Sequence, residues 1–242
     1  ELKQKNEQLE LTLQKLRELD GYKTKFFANV SHDLRTPLTL ILGSVDQMLR
    51  NVNAFSEGDA QRLKTLKLNA QVLIQEVNDL LDLARMDAEQ MPLVYTSVNI
   101  VKIIKNIVAT FASLAEEKSI QVLVEGDESF AADVDQVIRI IGNLLSNAFK
   151  FTPRGGRICC SVREVQSNRF IVEIEDSGPG IPQIKREHVF SRFSQGSEEL
   201  SDIGTGIGLN IVKEFVELQG GTVNIVDAPT GGTIFRVILP SY

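Results

Sequence analysis

The chain has no tryptophan, two cysteines and two histidines, and its first 91 residues hold a single proline, Pro37, and three glycines, Gly21, Gly43 and Gly58. Each scarcity closes off a class of function. Cys159 and Cys160 are adjacent, and neighbouring side chains on a strand point to opposite faces, so neither a bridge nor a shared metal between them is expected. They read instead as small buried residues of a reducing compartment. His32 and His188 are too few and too far apart for a zinc site. Basic runs are missing as well: 26 Lys plus Arg against 32 Asp plus Glu leave a net charge of −6. Such a chain is poorly suited to gripping nucleic-acid phosphates, and no nucleic acid is expected as a partner. No apolar stretch exceeds strand length, so nothing in this sequence is expected to span a bilayer. There is no GxxxxGKS/T loop, no Asp-Phe-Gly and no GxGxxG after a strand, so a bound nucleotide would need another architecture. The 242 residues are long for one ordinary domain and comfortable for two. They open at Glu1 inside a helical pattern without a Met, as expected of a core cut from a longer protein.

What is present begins with helices. Leu2, Leu9 and Leu16 recur every seven residues; with these at d, the a positions are Asn6, Leu13, Asp20, Phe27 and Leu34, and Val30 is a further d. One polar Asn at a is the usual compromise of a parallel two-stranded coiled coil. A second stripe reads Leu63, Leu66, Ala70, Leu73, Val77, Leu80, Ala84, alternating three and four. The polar stretch Asn51 to Gly58 between them is turn-like. The pattern predicts an αα-hairpin that pairs with a copy of itself into a four-helix bundle, the alternative being an antiparallel coiled coil docked on the rest of the chain. His32 falls at f, farthest from the helix partner, and Pro37 interrupts the helical pattern just beyond it, deleting the bond to the Asp33 carbonyl at about 3 kcal/mol or more. A strained backbone beside an outward imidazole is the kind of rule-breaking found at working sites.

From Pro92 the pattern changes to α/β. Helices are expected over 99–118, 133–151 and about 207–219, and strands over 120–125, 157–165, 170–175, 222–226 and 233–239. Together they predict a mixed sheet with helices on one face. Four clusters stand out. Asn143, Asn147 and Lys150 lie at i, i+4 and i+7 on one helix face; this is either simply the wet side or a grip for hydrated Mg²⁺ and polyphosphate, since amide oxygens ligate hard cations and an ammonium meets phosphate. Asp176-Ser-Gly178-Pro-Gly180 follows a strand, where a carboxylate can accept from an amino group and glycines admit a planar ring, or where the chain merely turns. Gly204-Thr-Gly206-Ile-Gly208-Leu leads into a helix and would present free N–H groups to phosphate. Gly231-Gly232-Thr233 precedes the last strand and is the weakest of the four.

In this order the clusters resemble the N, G1, G2 and G3 boxes of the ATPase fold shared by histidine kinases, the chaperone Hsp90, gyrase B and MutL. The stretch Phe27-Ala-Asn-Val-Ser31-His32-Asp33-Leu-Arg35-Thr36-Pro37-Leu38 resembles the H-box of the histidine-kinase branch, and Phe190-Ser-Arg-Phe193 its F-box. Nearly the whole chain is covered, and the wording around His32 is similar to that of hybrid sensors. The resemblance implies a dimeric four-helix bundle followed by an α/β sandwich of the histidine-kinase/Hsp90 type. It divides the chain into a coiled-coil entry helix (1–21), a dimerisation and histidine-phosphotransfer domain (22–91) and a catalytic ATP-binding domain (92–242).

The same resemblance implies roles. His32 would accept phosphate, and Asp33 would orient the ring and take its proton, although the family more often has Glu there. Thr36 would orient a water for dephosphorylating the partner. Asp176 would bind the adenine amino group over Gly178 and Gly180, Asn143 and Asn147 would bring Mg²⁺ to the triphosphate of ATP, and Lys150 would meet its oxygens. Gly204, Thr205, Gly206, Ile207, Gly208 and Leu209 would close a lid, roughly 185–203, over the phosphates. Arg192 would supply the charge that other members carry where Gln195 stands, and His188 has no role. The implied partners are a second copy of the chain and a response-regulator receiver domain, separate or fused, and the implied setting is the cytoplasmic portion of a membrane-anchored protein. Two further readings stay open: a dimeric scaffold that binds nucleotide without useful turnover, and a chaperone- or topoisomerase-like ATPase, which leaves His32 and Pro37 unexplained.

Overall fold

The computed structural model describes residues 3, 5, 6, 30, 34–50, 57–87, 92–126, 129–165, 168–191, 207–229 and 231–241. The chain divides into two units, Glu1–Met91 and Pro92–Tyr242.

In the first unit residues 34–50 form helix α1 and Glu57–Asp87 form α2. The Arg35 guanidinium is bonded to the Asn78 side-chain oxygen, and the Lys67 ammonium lies 2.8 Å from the Asp46 carboxylate. Eleven residues forward along α1 correspond to eleven back along α2, so the helices run antiparallel and in step. Val45, Ala70, Val77 and Leu81 are buried. Leu66 and Leu73, members of the predicted stripe, are instead 53% and 47% exposed, and Ile41 and Met48 of α1 are 49% and 47% exposed. The hairpin thus buries one apolar seam and leaves a second open. Pro37 lies within α1 and is exposed; Gly58, expected in a turn, is already inside α2. The heptads of residues 1–33 lie almost entirely outside the described residues, as do residues 51–56 of the expected turn.

The second unit is an α/β sandwich. A ribbon pairs β1 (Tyr95–Asn99) antiparallel with β3 (Ser129–Asp133). The main sheet has the order β2-β4-β5-β7-β6, formed by Gln121–Glu125, Arg157–Val165, Arg169–Asp176, Thr233–Pro240 and Thr222–Asp227. Among the described strands of this sheet, only β2 and β4 pair in parallel. Side chains alternate across the pleat. Ile158, Cys160, Val162, Val172, Ile174, Phe235, Val237 and Leu239 are buried on the face packed by α3 (Ile100–Thr110), α5 (Val134–Phe151) and α7 (Gly208–Leu218). On the other face, charges pair across strands: Arg236 donates to Glu173 at 2.6 Å and Arg157 to Glu175 at 3.4 Å. Cys160 is buried while Cys159, on the opposite face, is only partly covered, so one of the two departs from the expected burial.

The helix expected over 99–118 is two helices, α3 and α4 (Ala112–Lys118), broken at Phe111. Its ring stacks on Phe149 of α5, centroids 4.6 Å apart, and that packing outweighs helical continuity. Asn99 caps α3 through Lys102 N–H, and Asp133 caps α5 through Gln136 N–H at 3.1 Å. The other Asp133 oxygen accepts from Val94 N–H at 2.9 Å, fastening the entering chain to the start of α5. Among the described residues no helix is long and apolar enough to cross a membrane.

Candidate active site

The polar stripe on α5 is where the sequence places it. Ile140, Ile141, Leu144, Leu145 and Ala148 are buried, which leaves Asn143 and Asn147 half-buried and Lys150 exposed on the remaining face. The Asn143 Nδ2 donates to the Arg139 carbonyl at 3.0 Å, which fixes the direction of its amide oxygen. That oxygen faces the first residue of α7: a Cβ on Gly208 would come within 2.6 Å of it. Lys150 has its ammonium pulled below the ordinary lysine range by partial burial, and it lies over the Phe151 ring.

The carboxyl end of α5 meets the end of β5. Asp176 is buried, and its Oδ1 accepts from Gly178 N–H at 2.8 Å. Burial pushes its carboxyl above the usual range, while the N–H groups of Gly178 and Thr233 pull it back. A Cβ on Gly178 would stand 2.7 Å from that Oδ1 and 2.9 Å from the Phe151 carbonyl, so only glycine fits. Gly232 packs as tightly against the Asp176 backbone, and Thr233 beside it is buried. Gly180 follows in the same loop. Thus α5 touches the start of α7 at Asn143 and the Asp176 loop at Phe151, with Asn147 and Lys150 on the helix between those contacts.

Ile207 is buried at the N-cap of α7, and Leu209 is half-buried in its first turn. Buried Asn210 donates to the Phe190 carbonyl at 3.0 Å, tying the first Phe of the Phe-Ser-Arg-Phe stretch to α7. Arg186, near the start of the expected lid, donates to the Ile181 carbonyl at 2.9 Å and pairs with Asp227. Exposed His188 lies in the turn after α6 (Gln183–Arg186). Thr36 is exposed on α1. His32, Asp33, Arg192, Phe193, Gly204, Thr205 and Gly206 lie outside the described residues. The sequence assigns no role to Thr233 or Asn210: Thr233 sits in the weakest of the four clusters, and Asn210 carries no motif signal beyond its place after Gly208.

The described residues contain no group of three or more His, Cys, Asp or Glu that could hold a metal. Amide oxygens at Asn143 and Asn147 fit a Mg²⁺ that keeps several waters and takes its remaining ligands from phosphate.

Residues 132–242 match the family described as histidine kinase-, DNA gyrase B-, and HSP90-like ATPase, and residues 22–89 match the His Kinase A (phospho-acceptor) domain. The chain belongs to the histidine-kinase family. Sensor histidine kinase TmoS of Ectopseudomonas mendocina is 45% identical over 98% of this chain and 25% of its own length. Hybrid signal transduction histidine kinase D of Dictyostelium discoideum is 44% identical over 99% of this chain and 16% of its own length. This histidine-kinase chain therefore spans a quarter or less of those two relatives. Among solved structures, full-length ShkA in complex with AMPPNP superposes with a TM-score of 0.72 at 26% identity, covering 90% of this chain and 46% of that one. The mycobacterial sensor histidine kinase MprB matches at 30% identity and a TM-score of 0.53, over 61% of this chain and 98% of its own.

Proposed function

We propose that this chain is the core of a sensor histidine kinase that moves the γ-phosphoryl group of ATP to His32 and then to an aspartate of a receiver domain. The observation that carries the reading is the way α5 joins the Asp176–Gly178 loop to the start of α7, in an ATPase fold that follows an H-box sequence. The solved relative that holds AMPPNP supports an adenosine triphosphate as occupant.

Asp176 accepts from the adenine amino group, with Gly178 and Gly180 as the floor beneath the ring. Lys150 meets phosphate oxygens, and the 204–209 segment offers N–H groups to them as it enters α7. Asn143 and Asn147 hold Mg²⁺, which, when bound, neutralises charge on the triphosphate. A His32 ring nitrogen attacks the γ-phosphorus, the bond to the bridging oxygen breaks, and ADP departs. Asp33 takes the ring proton. In the second step a receiver carboxylate oxygen attacks the same phosphorus and the P–N bond breaks. Thr36, one turn after His32 in sequence, orients a water that attacks the phosphorus of the receiver's aspartyl phosphate, breaking its bond to the carboxylate oxygen and releasing inorganic phosphate. Arg192 contributes positive charge to the phosphates.

Acceptor and nucleotide residues belong to different units, so transfer requires them to meet. We assign residues 1–21 as coiled-coil entry, 22–91 as the dimerisation and phosphotransfer domain and 92–242 as the catalytic domain. The open seam of Ile41, Met48, Leu66 and Leu73 supports pairing with a second copy into a four-helix bundle. We further propose that the full-length protein is a membrane-anchored sensor with this portion in the cytoplasm.

Incubation with γ-labelled ATP and Mg²⁺ tests the reading. Acid-labile, base-stable label that is lost in His32→Gln supports it. Nucleotide binding without label would leave only a signalling scaffold.

A further inference from the structure

Lys118, the last residue of α4, belongs to none of the four clusters. Its ammonium donates to the Phe149 carbonyl at 2.8 Å and lies 3.3 Å from the Lys150 carbonyl and 3.5 Å from that of Thr152. Phe149 and Lys150 lie in the last turn of α5 and Thr152 is its C-cap, where a helix end leaves carbonyls without intrahelical partners and where its negative pole sits. The backbone closes the same loop from the other side, because Gly155 N–H donates to the Lys118 carbonyl at 2.9 Å. One residue therefore holds the end of α5 through its side chain and the loop that follows it through its main chain.

That last turn carries two parts of the site. Lys150 projects from it, and the Phe151 carbonyl packs against Gly178, whose N–H holds the Asp176 carboxylate. A shift at the end of α5 would move Lys150 and the Asp176 floor relative to each other, and so alter the span between the groups assigned to the two ends of the nucleotide. The Lys118 charge also offsets the negative helix pole, which would otherwise repel an anionic ligand nearby.

We propose that Lys118 is a positioning residue for the nucleotide, fixing the end of α5 so that Lys150 and the Asp176–Gly178 floor stand at the separation the ligand requires. The proposal rests on the reading of Asp176 and Lys150 as the adenine and phosphate ends of one site.

The test is calorimetric titration of the 242-residue chain with ADP and Mg²⁺ in four forms: wild type, Lys118→Met, Lys118→Arg and Asp176→Asn. Lys118→Met is expected to lose about tenfold or more in affinity, a size in line with misplaced binding groups, and Lys118→Arg to recover most of it. In autophosphorylation, Lys118→Met is expected to raise KM for ATP while kcat at saturating ATP stays near wild type. Hydrogen exchange of the Gly178 amide should accelerate in the Met variant and return with Arg. A Met variant that binds ADP as wild type does, or an Arg variant as weak as Met, overturns the Lys118 assignment while loss in Asp176→Asn keeps the nucleotide reading intact. No ADP binding by the wild type, or full binding by Asp176→Asn, overturns the nucleotide reading and the Lys118 assignment with it. If circular dichroism shows that Lys118→Met does not fold, the ammonium resonance of Lys118 in the wild type decides: a shift on adding ADP supports the role, and an unmoved resonance overturns it.

Discussion

A Cβ on Gly208 would stand 2.6 Å from the side-chain oxygen of Asn143, whose Nδ2 is already committed to the Arg139 carbonyl. The absence of a side chain at the first residue of α7 is what lets the helix start sit against that amide. In Gly208→Ala the methyl group must displace the Asn143 oxygen. Gly208 is the first residue of α7, where the helix-interior advantage of alanine does not offset that displacement. The expected result is a folded chain of slightly lower thermal stability with ADP affinity reduced by about threefold to tenfold, roughly the loss of one modest polar contact. Calorimetry beside a thermal melt checks it, and unchanged affinity would mean that Asn143 does not face the ligand.

Asp176 couples the site to pH. Burial raises its pKa above the ordinary 3.8, so the folded state holds the proton more tightly than the unfolded chain does. The contribution to stability is therefore fully present below 3.8 and is lost as pH rises through the folded value. Asp176→Asn removes that slope and keeps an oxygen for the Gly178 N–H. The variant should be at least as stable as wild type at neutral pH yet bind adenine nucleotide about tenfold or more weakly, since a charge-assisted bond is replaced by a neutral one. Denaturant melts across the acid range and a nucleotide titration measure the two effects separately.

In the hairpin the two apolar seams should behave differently. Leu81 is 5% exposed, and Leu81→Ala is expected to cost about 2–5 kcal/mol of folding stability. Ile41→Asp and Leu73→Asp place charge on the open seam, where they should shift the chain from dimer to monomer in sedimentation with helix content nearly unchanged. A wild-type chain that sediments as a monomer at micromolar concentration would remove the basis for the bundle.

Asn147→Asp adds a carboxylate to the half-buried stripe between Asn143 and Lys150. Labelling from γ-labelled ATP is expected to disappear, because the new charge opposes the triphosphate. Activity at the wild-type level would mean that Asn147 does not serve the metal.

Much of this arrangement is legible in the sequence where signals are local. The α5 stripe shows as a polar row against buried isoleucines and leucines, and Asp176 shows as an acid at a strand end followed by glycines. Signals that depend on distant partners are silent. Lys118 meets carbonyls more than thirty residues away and looks like any solvated lysine at a helix end. The break at Phe111 comes from a ring stacked on Phe149, which periodicity within Asn99–Lys118 cannot reveal. Tyr95–Asn99 and Ser129–Asp133 are short and lack an alternating apolar row, so their ribbon arises from pairing rather than from pattern. The heptads mark apolar positions on α2, yet both its seams are apolar, and only packing separates buried Val77 and Leu81 from open Leu66 and Leu73.

Signalling by this chain requires phosphate to reach one imidazole. Mass spectrometry at neutral to basic pH, on the intact chain after saturating ATP and Mg²⁺, reads this without a label. The expected spectrum carries a single added phosphoryl group on the peptide containing His32, absent from Asn147→Asp and discharged when a competent receiver domain is added. An unmodified His32 under those conditions, with nucleotide demonstrably bound, would contradict the account.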